Sequence, residues 1–107
     1  MKKKVYIAGP INASNVVDAL NNIQRGIDAS VEALLSGVIP FSPFLDFQLV
    51  LASKGKITIP MIREYSMEWL YACEEIWVLP NWESSTGTKA EIEEAKKLGL
   101  GIVYLPA

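Results

Sequence analysis

A chain of 107 residues, half of them apolar, is the size of one domain and can bury a real core. Twelve acidic residues against ten basic ones give a net charge of −2, without the basic footprint that nucleic-acid binding needs. With no histidine and a single cysteine, the chain has no His-dependent acid–base chemistry, no zinc site of the Cys/His type and no intramolecular disulfide.

Met1-Lys2-Lys3-Lys4 resembles the start of a signal peptide, but the apolar run behind it ends at Gly9-Pro10 and is too short for one. No stretch approaches a membrane span. Cys73 lies among apolar residues and reads as a small buried hydrophobe in a reducing, cytoplasmic setting.

Lys3 to Ala8 is a short apolar run bounded by turn residues, which predicts a buried strand. The small polar connection Ile11 to Asn15 exposes backbone N–H groups that can face a ligand oxygen. With one glycine it is no dinucleotide fingerprint. Val16, Leu20, Ile23, Ile27, Val31 and Leu34 recur at spacings of three and four, predicting a helix over 16–36 with one apolar stripe. Asn15 or Ser14 suits its N-cap and Gly37 the left-handed residue beyond its end.

Val38 to Phe41 reads as a second strand. Phe44 to Leu51, after Pro43, fits a helix, and 53–56 a surface loop. Phe41, Phe44 and Phe47 fit the core more readily than a planar ligand. Pro60 opens a third helix, in which Ile62, Ser66, Trp69, Leu70 and Cys73 share a face. Ser66 is the polar member, and a hydroxyl bonded to its own helix carbonyl accounts for it. Glu75 to Leu79 is a third strand and Gly101 to Leu105 a fourth. Lys96-Lys97 and Gly99 mark the end of the helix between them.

This alternation predicts an α/β fold: a parallel sheet of four strands, at most five, in the order 2-1-3-4, with helices on both faces. The loops 9–14 and 81–88 then lie side by side beyond the strand ends, where ligands bind in such sheets. Thr88 is expected to start the last helix, with Glu91, Ala95 and Leu98 on the face that packs on the sheet. Two readings of Glu91 stay open. In one, Thr88-Lys89-Ala90-Glu91 is a capping box and the glutamate serves its own helix. In the other the carboxylate points at the strand ends, where a glutamate, a tyrosine, hydroxyls and backbone amides suit glycosyl transfer. A carboxylate can attack an oxocarbenium-like centre directly, and Tyr6 would hold it ionised by a hydrogen bond.

Three stretches carry a resemblance. Val5-Tyr6-Ile7-Ala8-Gly9-Pro10 resembles the first-strand motif of the nucleoside 2-deoxyribosyltransferase-like superfamily. Ser85-x-Gly87-Thr88-x-x-Glu91, followed by Ala95, is similar to its catalytic motif, and Glu64 to Leu70 to its third-helix signature. Together they run across nearly all of the chain. The resemblance implies a flavodoxin-like domain over residues 1–107 and catalysis by Glu91 as nucleophile at C1′, oriented by Tyr6. It implies substrate contacts at Gly9, Pro10, Ile11, Asn12, Ser66, Ser85, Gly87 and Thr88. The substrate would be a deoxynucleoside or its 5′-monophosphate, with no cofactor or metal, in a homodimer or higher oligomer. Serine at position 85 resembles the branch that hydrolyses deoxynucleoside monophosphates, and a neutral hydroxyl at a helix start accepts a dianion. Two positions depart from the pattern: Ser66 stands where an aspartate is usual, and Asn12 where the phosphate-specific branch has an arginine. These departures favour an alternative, a non-catalytic module that senses a nucleotide in the same crevice. A flavin phosphate loop at 84–88 is the weakest reading, since such a loop follows the first strand.

Overall fold

The computed structural model describes residues 1–107. Four strands, β1 (Lys4–Ala8), β2 (Ile39–Phe41), β3 (Glu75–Val78) and β4 (Gly101–Tyr104), form one parallel sheet in the order β2-β1-β3-β4. Four helices connect and cover them: α1 (Val16–Leu35), α2 (Asp46–Ala52), α3 (Ile59–Tyr71) and α4 (Thr86–Leu98). The architecture is the expected flavodoxin-like α/β fold, with four strands and no fifth. None of its helices is long and apolar enough to cross a membrane.

β1 occupies a central position, so both of its faces are covered and Val5 to Ala8 are all buried, without alternation. The strand period of two then divides them. Val5 and Ile7 pack towards Ala33 of α1 and towards Phe44 and Leu79. Tyr6 and Ala8 pack towards Leu70 of α3 and Ile92 and Ala95 of α4. The sheet therefore separates two cores, and the parallel register places Tyr6 beside Phe41 on one side and Ile76 on the other.

The long helix forms where the periodicity puts it, capped by the Asn15 side chain, which accepts from the Asp18 amide at 2.8 Å. Gly37 takes the left-handed conformation beyond its end, at φ +102°. Its packed face differs from the expected stripe. Gly26, Ser30 and Ala33 are the buried residues, with Ile23 and Ile27 at the border of the core. Val16, Leu20, Val31 and Leu34 stay half or more exposed, Leu34 at 59%. The reason is steric. Phe44, on a 3₁₀ turn at Pro43–Leu45, lies against the helix so closely that a Cβ on Gly26 would fall 2.2 Å from its ring. The helix approaches the sheet through its small residues, and the stripe turns outward.

On α3 and α4 the expected apolar faces are likewise only partly buried. Trp69 does not close the core but remains 47% exposed, its ring stacked on Phe41. Leu98 is also left half-exposed, while Ala95 is fully buried. Cys73 is buried as expected, and burial pushes its thiol up to about 11, with the charge of Glu74 adding to the shift. It is an inert packing residue.

Candidate active site

Helix α4 starts at Thr86, two residues earlier than the sequence suggested, and this bears on the capping reading of Glu91. The N-cap is Ser85, whose hydroxyl oxygen accepts from the Thr88 amide at 3.2 Å and from the Thr88 hydroxyl at 2.8 Å. Thr88 therefore fills the third helical position and is itself buried. Glu91 stands a full turn further in, beyond the reach of the orphan N–H groups. The capping-box reading falls. Instead the Tyr6 hydroxyl donates a hydrogen bond to Glu91 Oε2, from the central strand to the helix that covers it.

Around this pair the polar groups are few and uncompensated by cations. Burial pushes the Glu91 carboxyl up to about 7, and the charge of Asp46 adds to the shift, while the Tyr6 hydrogen bond opposes it. The phenol of Tyr6 is driven well above its ordinary range, by burial first and then by Glu91 and Asp46. Asp46, at the start of α2, is 8% exposed, and burial raises its carboxyl too, with the Ser66 hydroxyl opposing. Ser66 Oγ lies 2.5 Å from Asp46 Oδ2 and 3.0 Å from the Ile62 carbonyl oxygen. The expected bond of Ser66 to its own helix is thus present, and a second contact ties the side chain to α2.

An aromatic wall borders the cluster. Phe41 stacks on Tyr6 at 5.5 Å between ring centroids and on Trp69 at 5.5 Å, with Tyr65 tilted against both Phe41 and Trp69. Phe44 is plain core, as the sequence suggested, whereas Phe41 belongs to this wall.

The remaining expected site residues fall in two groups. Pro10 and Asn12 line an open groove of about 520 Å³ with Asn22, Arg25, Asn81 and Ser84. It lies between the loops that follow β1 and β3, the adjacency predicted from the strand order. Asn22 donates to the Ile11 carbonyl oxygen at 3.3 Å and accepts from Arg25 at 2.6 Å, holding the first loop on α1. Ile11 itself packs against the α1-side core. Gly9 is required by packing, because a Cβ there would fall 2.5 Å from Leu79 Cδ1. Gly87, by contrast, faces open space at the start of α4. Ser85 and Thr88 spend their hydroxyls on each other and on the cap. Neither Tyr6 nor Glu91 lines the groove.

Asp46 and Arg25 were missed from sequence. Asp46 had a signal: it is the one charge in the apolar run Phe44 to Leu51. Arg25 had none, being one polar residue of many on the exposed side of a helix.

The fold and this cluster define a flavodoxin-like α/β domain with a desolvated glutamate held by a strand tyrosine. The chain belongs to the family described as Domain of unknown function (DUF7768), whose model matches residues 3–105. No curated protein matches it significantly.

Proposed function

We propose that the protein cleaves or transfers the N-glycosidic bond of a deoxynucleoside or its 5′-monophosphate, with Glu91 as nucleophile and Tyr6 as its orienting partner. The observation that supports this most directly is the Tyr6–Glu91 hydrogen bond inside a partly buried, cation-free cluster. A glutamate needed only for helix stability has no reason to be there. Glu91 would attack C1′, the C1′–N bond would break, and the base would leave with a proton. The phenol hydrogen bond favours the ionised carboxylate that attack requires. The wall of partly buried Phe41 and the more exposed Trp69 and Tyr65 offers an apolar surface for a planar base. The polar groove lined by Asn12, Asn22 and Arg25, with the Asp18 carboxylate beside them, offers donors to the 5′ end of a substrate. The reading includes a homo-oligomer, for which the exposed stripe of α1 is the available apolar surface.

The test is release of free base from a panel of deoxynucleosides and their monophosphates. Turnover is expected, and Glu91→Ala should lower it by roughly 10³-fold or more. The rate should fall as the pH drops below about 7, because protonation removes the nucleophile. An unchanged Glu91→Ala rate, or no turnover of any substrate, refutes the enzyme. If nucleotides then raise the melting temperature of the inactive wild type, the crevice is a sensor, a role that Ser66 in the usual aspartate position would suit.

A further inference from the structure

The two edges of the sheet differ in what they expose. On β2 the Ile39 amide donates to the Lys3 carbonyl oxygen at 2.8 Å. Alternation along the strand then turns the backbone groups of Ile39 and Phe41 towards β1 and those of residue 40 towards the open edge. That residue is Pro40, which has no N–H to offer, so β2 is closed to further pairing. On β4 the Gly101 amide donates to the Glu74 carbonyl oxygen at 3.1 Å, and the Leu105 amide to that of Val78 at 2.8 Å. Residues 101, 103 and 105 therefore serve β3, and Ile102 and Tyr104 each hold an N–H and a C=O out to the edge. This free stretch is bounded on both sides. The Leu100 amide is taken by the Ala95 carbonyl oxygen at 3.0 Å, and Pro106 has no N–H. No charge stands on the strand.

The side chains agree with an edge left unpaired. Val103 shares its face with Leu105, which packs against the α1-side core. Helix α1 lies over β1 and β2, however, so Val103 stays 38% exposed. Tyr104 is half-exposed, with its ring tilted against Trp82. The helix beside this edge is α4. Its Ile92 and Ala95 face the sheet and its Glu94 meets Tyr71 of α3, so the flank on the β4 side carries Lys89, Glu93 and Lys96. The signs on that flank alternate, and Glu93 already pairs with Lys96 at 3.3 Å.

We propose that two copies of the chain join through β4, antiparallel about a two-fold axis at Val103, and so double the four-stranded sheet. Ile102 of one copy and Tyr104 of the other exchange both backbone bonds, and the symmetry repeats the exchange. Every outward N–H and C=O of residues 102 and 104 then has a partner. A second copy is the occupant because its own edge has the matching spacing. Turned end for end, the α4 flank also meets a flank of the same mixed sign, with no block of like charge to repel it. The contact is small and belongs with weak, reversible interfaces. It lies apart from the α1 stripe and does not rest on the glycosyl reading.

The residue on the axis supplies the test, because it alone meets its own copy. In sedimentation from roughly 1 µM to 1 mM, wild type should show a monomer–dimer equilibrium. Val103→Lys and Val103→Asp should each weaken it by about tenfold or more, since like charges then stand face to face. An equal mixture of the two variants should restore it, and that rescue separates a broken contact from a broken fold. Non-hydrogen-bonded antiparallel neighbours stand about 4.5 Å apart at Cα, within reach of a disulfide. Val103→Cys should therefore form a covalent dimer under mild oxidation, whereas wild type, whose Cys73 is buried, should not. This milder variant carries the test should the charged ones fail to fold. A wild type monomeric throughout overturns the contact and leaves the edge to a strand of another protein. Charged variants that dimerise like wild type, a mixture no more associated than either variant alone, or a cysteine variant that does not cross-link each overturn the axis at Val103.

Discussion

The two faces of the sheet are built on opposite principles. On the α1 side, small residues let a helix approach a phenylalanine, and the interior is aliphatic, aromatic and dry. On the α3–α4 side, the same strand contributes Tyr6, and the interior holds two carboxyls, a phenol and a hydroxyl without one cation. Burying charge without a partner costs stability, whereas burying methyl groups supplies it. A fold that needed only stability would make both faces like the first. The second face is where stability has been given up, and sites of function are expected to lie there.

The largest expected effect falls on the dry face. Gly26→Val places a branched side chain where even a single Cβ meets the Phe44 ring at 2.2 Å. The ring sits on a 3₁₀ turn wedged against the core, so the helix must move away from the sheet. A loss of about 3 kcal/mol is expected, measured by urea unfolding. Base release per folded molecule should fall as well, because the displaced helix carries Asn22 and Arg25 of the groove. A variant of wild-type stability would break the account of why α1 packs through its small residues.

The next effect has the opposite sign and belongs to the polar face. Glu91 is held at about 7 against an ordinary 4.5, so the folded chain binds its proton more tightly than the unfolded chain does. That contribution is fully present below about pH 4.5. It fades between 4.5 and 7 as the unfolded chain ionises first, and is gone above 7. Glu91→Gln keeps an acceptor for the Tyr6 hydroxyl and never ionises. It should match wild type near pH 4 and exceed it at pH 8 by about 1–3 kcal/mol, seen as a rise in melting temperature, while abolishing turnover. Equal stability of the two proteins at both pH values would show that Glu91 is solvated, and the contrast between the faces would disappear.

How much of this was legible in the sequence follows from which physics each feature obeys. The strand order and the alternation of elements are carried by periodicity and turn residues, which act locally, and these read correctly from Lys4 to Tyr104. The pairing of Tyr6 with Glu91 was reachable because each stands at a fixed position on a well-marked element. The cap was not, because Ser85 and Thr88 are both good cap residues, and only the loop geometry at Asn81–Ser84 selects the first. The stripe of α1 was misjudged because periodicity reports which residues are apolar and not which face a neighbour can approach. Phe44 chose Gly26, from 18 positions along the chain. Asp46 joins the site across three elements, and no spacing encodes that.

The smallest expected change to the single chain concerns the outward stripe. Val16, Leu20, Val31 and Leu34 touch little of their own molecule, so Leu34→Lys should alter monomer stability by no more than about 0.5 kcal/mol. If the stripe is the surface through which copies associate, the same change buries an unpaired ammonium at the contact. The dry face would then continue outward into an interface, while the polar face keeps its opening to substrate. Sedimentation of wild type and variant across a concentration series distinguishes these cases. A wild-type dimer that becomes a monomer on Leu34→Lys extends the contrast between the two faces to the assembly. A dimer unaffected by it moves the contact elsewhere, and a monomeric wild type removes the oligomer from the proposed function.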